Sequence, residues 1–144
     1  MKTFFSLFFL ATLVFAQSEN WVPVYSDEDK SAYINVTGLN AYQEGDIFVW
    51  IQEEYSNALQ MEEIDEKIYK VKSYYMISRE LKRYTLLDVI YYDEDSNVVK
   101  SYSYEHKYDK PEFKYSSPIL KNTDMEKILA KCLEVIGTPP NLNN

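Results

Sequence analysis

The nine residues Ile47-Phe48-Val49-Trp50-Ile51-Gln52-Glu53-Glu54-Tyr55, inside a chain of 144 residues, decide the fold. Ile47, Val49 and Ile51 project to one side of an extended backbone, while Phe48 and Trp50 project to the other, which is the two-residue period of a strand. Apolar groups on both sides predict a strand covered, at least in part, on each face.

Toward the N-terminus, Trp21 to Tyr25 is a short apolar run closed by Asp27-Glu28-Asp29-Lys30, and Ser31 to Val36 resumes as an extended stretch. The pair predicts a first hairpin with the acidic cluster as its turn. Leu39 to Asp46, with Gly38 and Gly45 at its edges, reads as a loop. On the other side of the central strand, Asn57 to Glu66 is read as a loop, although Leu59, Met61 and Ile64 also fit a short helical stripe. Lys67 to Ser78 sets Tyr69, Val71, Tyr75 and Ile77 on one face and lysines on the other, the pattern of a half-buried strand. Arg83 to Tyr92 predicts another long strand, Asp93-Glu94-Asp95-Ser96-Asn97 its turn, and Val98 to Tyr104 the returning partner, so that the three form a meander. Tyr108 to Pro118, with Pro111 and Pro118, reads as an irregular connection. The 14 tyrosines, with Trp21 and Trp50, enrich the chain in side chains that suit a pleated, half-buried surface.

One helix is well specified. Thr123 can cap it, and Glu126 three residues on completes a Thr-x-x-Glu box that satisfies two orphan amides. Met125, Ile128, Leu129, Cys132 and Ile136 fall on one stripe. Gly137 is placed to take the left-handed stop, and Pro139 and Pro140 prevent continuation. A helix with a single apolar stripe must cover something, and the large surface on offer is a face of the sheet. The expected fold is therefore α+β, an antiparallel sheet with a C-terminal helix on one face.

Met1 to Ala16 has a different character. Lys2 gives a positive start, Phe4 to Phe15 is almost purely apolar, and Val14-Phe15-Ala16 precedes Gln17 as a cleavage site, so residues 1–16 read as a secretory signal peptide. The apolar run is shorter than a spanning helix needs. One domain over residues 17–137 and a flexible tail over 138–144 complete the expected organisation, exported to the periplasm or fully secreted. With a formal charge of −8, made more negative by loss of Lys2, the chain repels phosphate backbones and anionic lipid, which argues against nucleic acid or a bilayer surface as partner. Cys132 is the single cysteine, so an internal disulfide is excluded, and no cysteine follows the cleavage site to carry a lipid.

Reactive chemistry is thin. A serine- or cysteine-type nucleophile needs a base in reach, and the chain has one histidine and one cysteine. Cys132 on the apolar stripe predicts a buried, inert thiol. His106, within Tyr104-Glu105-His106-Lys107, reads as a solvated loop or edge residue. Zinc needs more histidine and cysteine than this. Asp93-x-Asp95-x-Asn97 mimics the start of a calcium loop, but Val98 stands in place of its glycine and Tyr104 in place of its bidentate glutamate, so a hairpin turn is preferred. Glu53-Glu54 and Glu62-Glu63 could supply a glycosidase acid and base, yet paired carboxylates in so acidic a chain are more simply a solvated face. Asn35-Val36-Thr37 is a formal glycosylation acceptor. No catalytic, cofactor-binding or metal-ligating residue is assigned, and no cofactor is expected. Exposed tyrosines suit protein recognition, against which stands plain cross-strand pairing inside the sheet.

Taken in order, Trp21, Tyr33-Ile34-Asn35, Val49-Trp50, Arg83-Tyr84-x-Leu86-Leu87, Tyr91-Tyr92-Asp93, Val98-Val99, Pro118 and the closing helix with Cys132 resemble the surface-adhesin protein E family of exported bacterial proteins. The resemblance implies a curved antiparallel sheet of about six strands with a C-terminal helix laid across it. In that family a cysteine just before the Arg-Tyr segment pairs with the helix cysteine. Here Arg79 or its neighbour occupies that position, so the staple, typically about 2–4 kcal/mol, is absent. The family is named for adhesion to extracellular matrix proteins. The expected function is a non-enzymatic binding module of the bacterial envelope with a protein or peptide partner; an open sheet edge admits a homodimer. The alternative is a carrier of a small molecule or lipid, or a minor hydrolase, with a pocket between sheet and helix.

Overall fold

The computed structural model describes residues 19–39, 45–104 and 114–137. Six strands follow one another as an antiparallel meander: β1 (Trp21–Ser26), β2 (Lys30–Asn35), β3 (Asp46–Met61), β4 (Ile64–Ser78), β5 (Arg83–Tyr92) and β6 (Val98–Ser103). The sheet is curved and unclosed. A two-residue β7 (Ser117–Pro118) pairs with the Arg83–Tyr84 end of β5, beside the half that β6 pairs, and α1 (Asp124–Gly137) follows. The α+β architecture expected from periodicity is the one observed.

The strand read first is longer than alternation predicts. β3 runs to Met61 and β4 starts at Ile64, so Asn57 to Glu66, expected as loop, is strand apart from the tight turn at Glu62-Glu63. The reason is register. Pairing shifts between Glu54 and Leu59 and again between Leu59 and Met61, and such irregularities break the two-residue period that marks a strand. Ser117–Pro118 likewise pairs with β5 inside the stretch expected to be irregular. The two turns are as expected. Asp27 Oδ1 accepts the amides of Asp29 and Lys30, each at 2.9 Å, and Asp93 accepts the Asn97 amide at 2.8 Å and its side-chain amide at 3.0 Å. The calcium-loop mimic is thus a turn closed on its own asparagine, with Ser96 at φ 65 in the left-handed region.

Register also sorts the faces. Ile47, Val49 and Ile51 lie opposite Ile77, Tyr75 and Ser73, and they pack with Ile34, Leu39, Ile77 and the helix residues Ile128, Leu129 and Cys132 in the main core. A second cluster, Ile64, Ile68, Val71 and Val89, lies farther along the long strands and is flanked by Tyr55, Leu86, Tyr91 and Tyr102. The helix stripe is as expected, with Met125 and Ile136 half-buried at its margins. Its ends differ in detail. Thr123 Oγ1 accepts the Glu126 amide at 3.4 Å, but the Glu126 carboxylate takes the Asn122 amide, at 2.7 Å, instead of that of Thr123. Asn122, at φ 61, turns its N–H toward the helix start and intercepts the carboxylate. Gly137 is the last helical residue and is not left-handed, so the expected stop is not at that residue.

Candidate functional site

Two features stand out on this scaffold, one on each face of the sheet. On the helix side, the row Tyr25–Ala32–Glu53–Val71 crosses four strands, with Lys30 and Tyr55 paired one step along. Ala32 carries only a methyl group in the gap, so the Tyr25 hydroxyl donates over it to Glu53 Oε1 at 3.3 Å. Lys30 Nζ donates to the same oxygen at 2.7 Å and also meets Asp124 Oδ2 at 2.9 Å, while the Tyr55 hydroxyl donates to Glu53 Oε2 at 3.1 Å. Strand, sheet and the first helical residue are thereby tied through one ammonium, which also sits 5.7 Å and 6.0 Å from the ring centroids of Tyr25 and Tyr55.

Tyr25 reaches this face only because of a bulge. β1 pairs Pro23 with Tyr33 and then Tyr25 with Ala32, one residue off regular register, which turns the tyrosine from the helix-free side to the helix side. Burial works against the charge of Lys30, but Glu53 and Asp124 outweigh it and hold the ammonium above the usual lysine range. Burial also opposes ionisation of Asp124, and there Lys30 and Tyr25 outweigh it and hold the carboxyl below the usual range. Burial first, then the neighbouring Glu53, pushes Tyr75 up to about 12.

Next to this network lies a half-open cleft of about 290 Å³ between the sheet and the first turn of α1. Its sheet wall is Ile51, Glu53, Tyr75 and Tyr84, the two rings meeting edge to face at 5.7 Å, and its helix wall includes Asp124 and Met125. A wider, polar hollow of about 520 Å³ borders the exposed turn after β4, where Lys114 Nζ meets Asp46 Oδ2 at 2.6 Å.

The helix-free face carries the other side of the alternation. Phe48 is 48% exposed, Trp50 and Tyr74 are half-buried and stacked at 4.9 Å, and Phe48 and Tyr74 meet at 6.2 Å. Lys72 bridges to Glu19 at 2.9 Å and lies 5.0 Å over the Trp21 ring, while Lys70 lies 4.7 Å over Tyr92. Met76 and Thr85 are buried on this face, so the aromatic row stands beside a firm floor.

The residues singled out from sequence fall as follows. Glu53 and Glu54 point to opposite faces, since Gln52 donates to Glu54 on the helix-free side at 2.7 Å, so they form no acid–base pair. Glu62 and Glu63 are exposed in a turn. Cys132 is fully buried, and burial pushes its thiol up to about 12. Asn35 Oδ1 accepts the Thr37 amide at 2.9 Å, which fixes the acceptor triplet in a turn. Arg79 lies in the exposed turn after β4. His106, the stretch 1–16 and the tail 138–144 lie outside the described residues. Among the described residues no group of three or more His, Cys, Asp or Glu is placed to hold a metal, and no helix is long and apolar enough to cross a membrane. The Lys30–Glu53–Asp124 network was missed from sequence, although strict alternation from Ile51 places Glu53 on the buried side.

No family model, curated protein or solved structure matches the chain.

Proposed function

We propose that the chain is an exported, non-enzymatic binding module of the bacterial envelope that holds a protein partner on the helix-free face of its sheet, in the manner of a surface adhesin. The observation that carries the reading is the row Phe48, Trp50 and Tyr74, which keeps large apolar rings toward solvent on a rigid sheet beside a buried floor. Aromatic side chains on rigid strands give contact area at low entropic cost, which is what recognition surfaces are built from. The lysines that flank the row are already neutralised or laid over rings, so the surface offers apolar contact more than charge. Binding to purified matrix proteins, measured by biolayer interferometry, tests it. Micromolar or tighter binding that falls at least about tenfold in Phe48→Ser/Trp50→Thr/Tyr74→Thr, with the melting midpoint kept, is the expected result. Equal binding by wild type and triple variant refutes the assignment of this face.

A second reading, a carrier of a small ligand between sheet and helix, is favoured by one observation, the cleft beside Glu53. Sheet edges support a homodimer less well, because β1 carries Pro23 at its bulge and β6 carries Lys100, two devices that oppose edge pairing.

A further inference from the structure

We infer that the cleft between the sheet and the first turn of α1 is a site for a small primary amine with an alkyl or aryl stem, an inference that rests on the second reading above. The cleft has two unlike walls. Ile51, Met125 and Ile128 are apolar, and the Tyr75 and Tyr84 rings, in edge-to-face contact with each other, line the sheet side. Leu120 at the rim is 60% exposed, apolar surface that a stem would cover. By the roughly 30 Å³ a water takes in the liquid, 290 Å³ has room for about ten non-hydrogen atoms.

The polar wall decides the head group. The donors that meet its carboxylates are committed: Tyr25 and Tyr55 donate to Glu53, Lys30 to Glu53 and Asp124, and Lys127 to Asp124 at 3.4 Å, while Thr123 Oγ1 donates to the Leu120 carbonyl at 2.7 Å. What is left is acceptor capacity. Two carboxylates offer about eight lone-pair positions, and Glu53 Oε2 and the half-exposed Asp124 use only part of theirs. An incoming head therefore has to bring protons to donate. A protonated amine brings up to three and adds attraction to the carboxylates and to the tyrosine faces. A carboxylate head is repelled by the same two groups, and an alcohol brings one donor without the charge. The formal charge of −8 draws cations toward the whole molecule.

Lys30 shows the chemistry in miniature, since its own ammonium already binds Glu53, Asp124 and two tyrosine rings from the side of the cleft. Exposed Lys127 reaches Asp124 only at 3.4 Å, so an ammonium from inside the cleft would add a close donor to the two carboxylates that Lys30 bridges.

The test titrates the full mature chain with hexylamine, hexan-1-ol, hexanoate and a blocked lysine amide, followed by ¹H–¹⁵N shifts. Hexylamine is expected to move the amides around Glu53, Tyr75 and Met125, to bind at least about tenfold more tightly than hexan-1-ol, and to leave hexanoate without effect. In Glu53→Gln the amine is expected to lose about tenfold while the alcohol is unchanged, and the spectrum itself reports whether that variant is folded. Binding of the lysine amide as well extends the site to lysine side chains, and hexylamine alone confines it to small amines outside a peptide; both keep the assignment. Hexan-1-ol or hexanoate bound as tightly as hexylamine overturns the amine and leaves the pocket reading standing. No probe bound at millimolar concentration overturns both.

Discussion

Replacing Lys30 with methionine removes one charge and keeps the length of the stem. The ammonium lies 2.7 Å from Glu53 and 2.9 Å from Asp124, separations at which unit charges attract by roughly 6 kcal/mol at an effective dielectric of about 20. Most of that is offset by the cost of taking Lys30 and Glu53, each 23% exposed, out of water. Asp124 is 43% exposed, so its share is screened to a few tenths of a kcal/mol. After the substitution Glu53 keeps two phenol donors and Asp124 keeps Lys127 at 3.4 Å, so neither carboxylate is stranded. The expected net loss is about 2 kcal/mol, a fall in melting midpoint of roughly 6–10 °C for a domain of this size. The pH dependence carries a sign. Asp124, depressed in the folded chain, adds stability above its ordinary value and loses it as pH falls through its folded pKa; Lys30, raised, adds stability that disappears only as pH rises through its folded pKa. The difference between wild type and Lys30→Met is therefore flat from about pH 5 to 9 and narrows below about pH 4. Calorimetry across that range, with a Lys30→Met/Glu53→Gln cycle at pH 7, measures it. A midpoint within about 1 °C of wild type, or a coupling below about 0.3 kcal/mol, refutes the claim that this ion pair ties β2 to β3.

Leu129→Asp puts a carboxylate under the helix, where Leu129 is buried among Ile47, Val49 and Ile77, and is expected to cost more than about 4 kcal/mol; a cooperative melt near the wild-type midpoint would show the helix is not docked there. Thr123→Ala removes both the Glu126 amide's acceptor and the donor to Leu120, with an expected loss of about 1 kcal/mol in urea unfolding at unchanged m-value. Cys132, pushed up to about 12 by burial, should fail to react with a thiol reagent at pH 8 in the folded chain and react fully in denaturant; rapid labelling under native conditions would place it outside the core.

Much of the fold was legible because its signals are local. Arg83 to Tyr92 is a ten-residue run rich in aromatic, β-branched and aliphatic side chains, Asp93 to Asn97 closes on its own side chain, and the stripe from Met125 to Cys132 is helical whatever lies beneath it. The stretch from Asn57 to Glu66 was not legible, because two register shifts erase the period before the turn is reached. The candidate sites divide in the same way. Phe48 and Trp50 could be assigned to the face opposite Ile47 from alternation alone, whereas their exposure depends on which face the helix covers.

By itself, then, the sequence determined most of the strands, the capped helix, the acidic balance and a lone cysteine on an apolar stripe, all of which follow from local periodicity and overall composition. Only the tertiary structure decided what those elements hold between them. Lys30 lies 23 residues from Glu53 and 94 from Asp124 in the chain, and the antiparallel register with the helix docked across it is what brings its ammonium within 2.9 Å of both carboxylates. Tyr25 joins them because a single bulged residue in β1 reverses the side on which it points, and a reversal of that kind depends on the pairing partner, not on the residues of the strand itself.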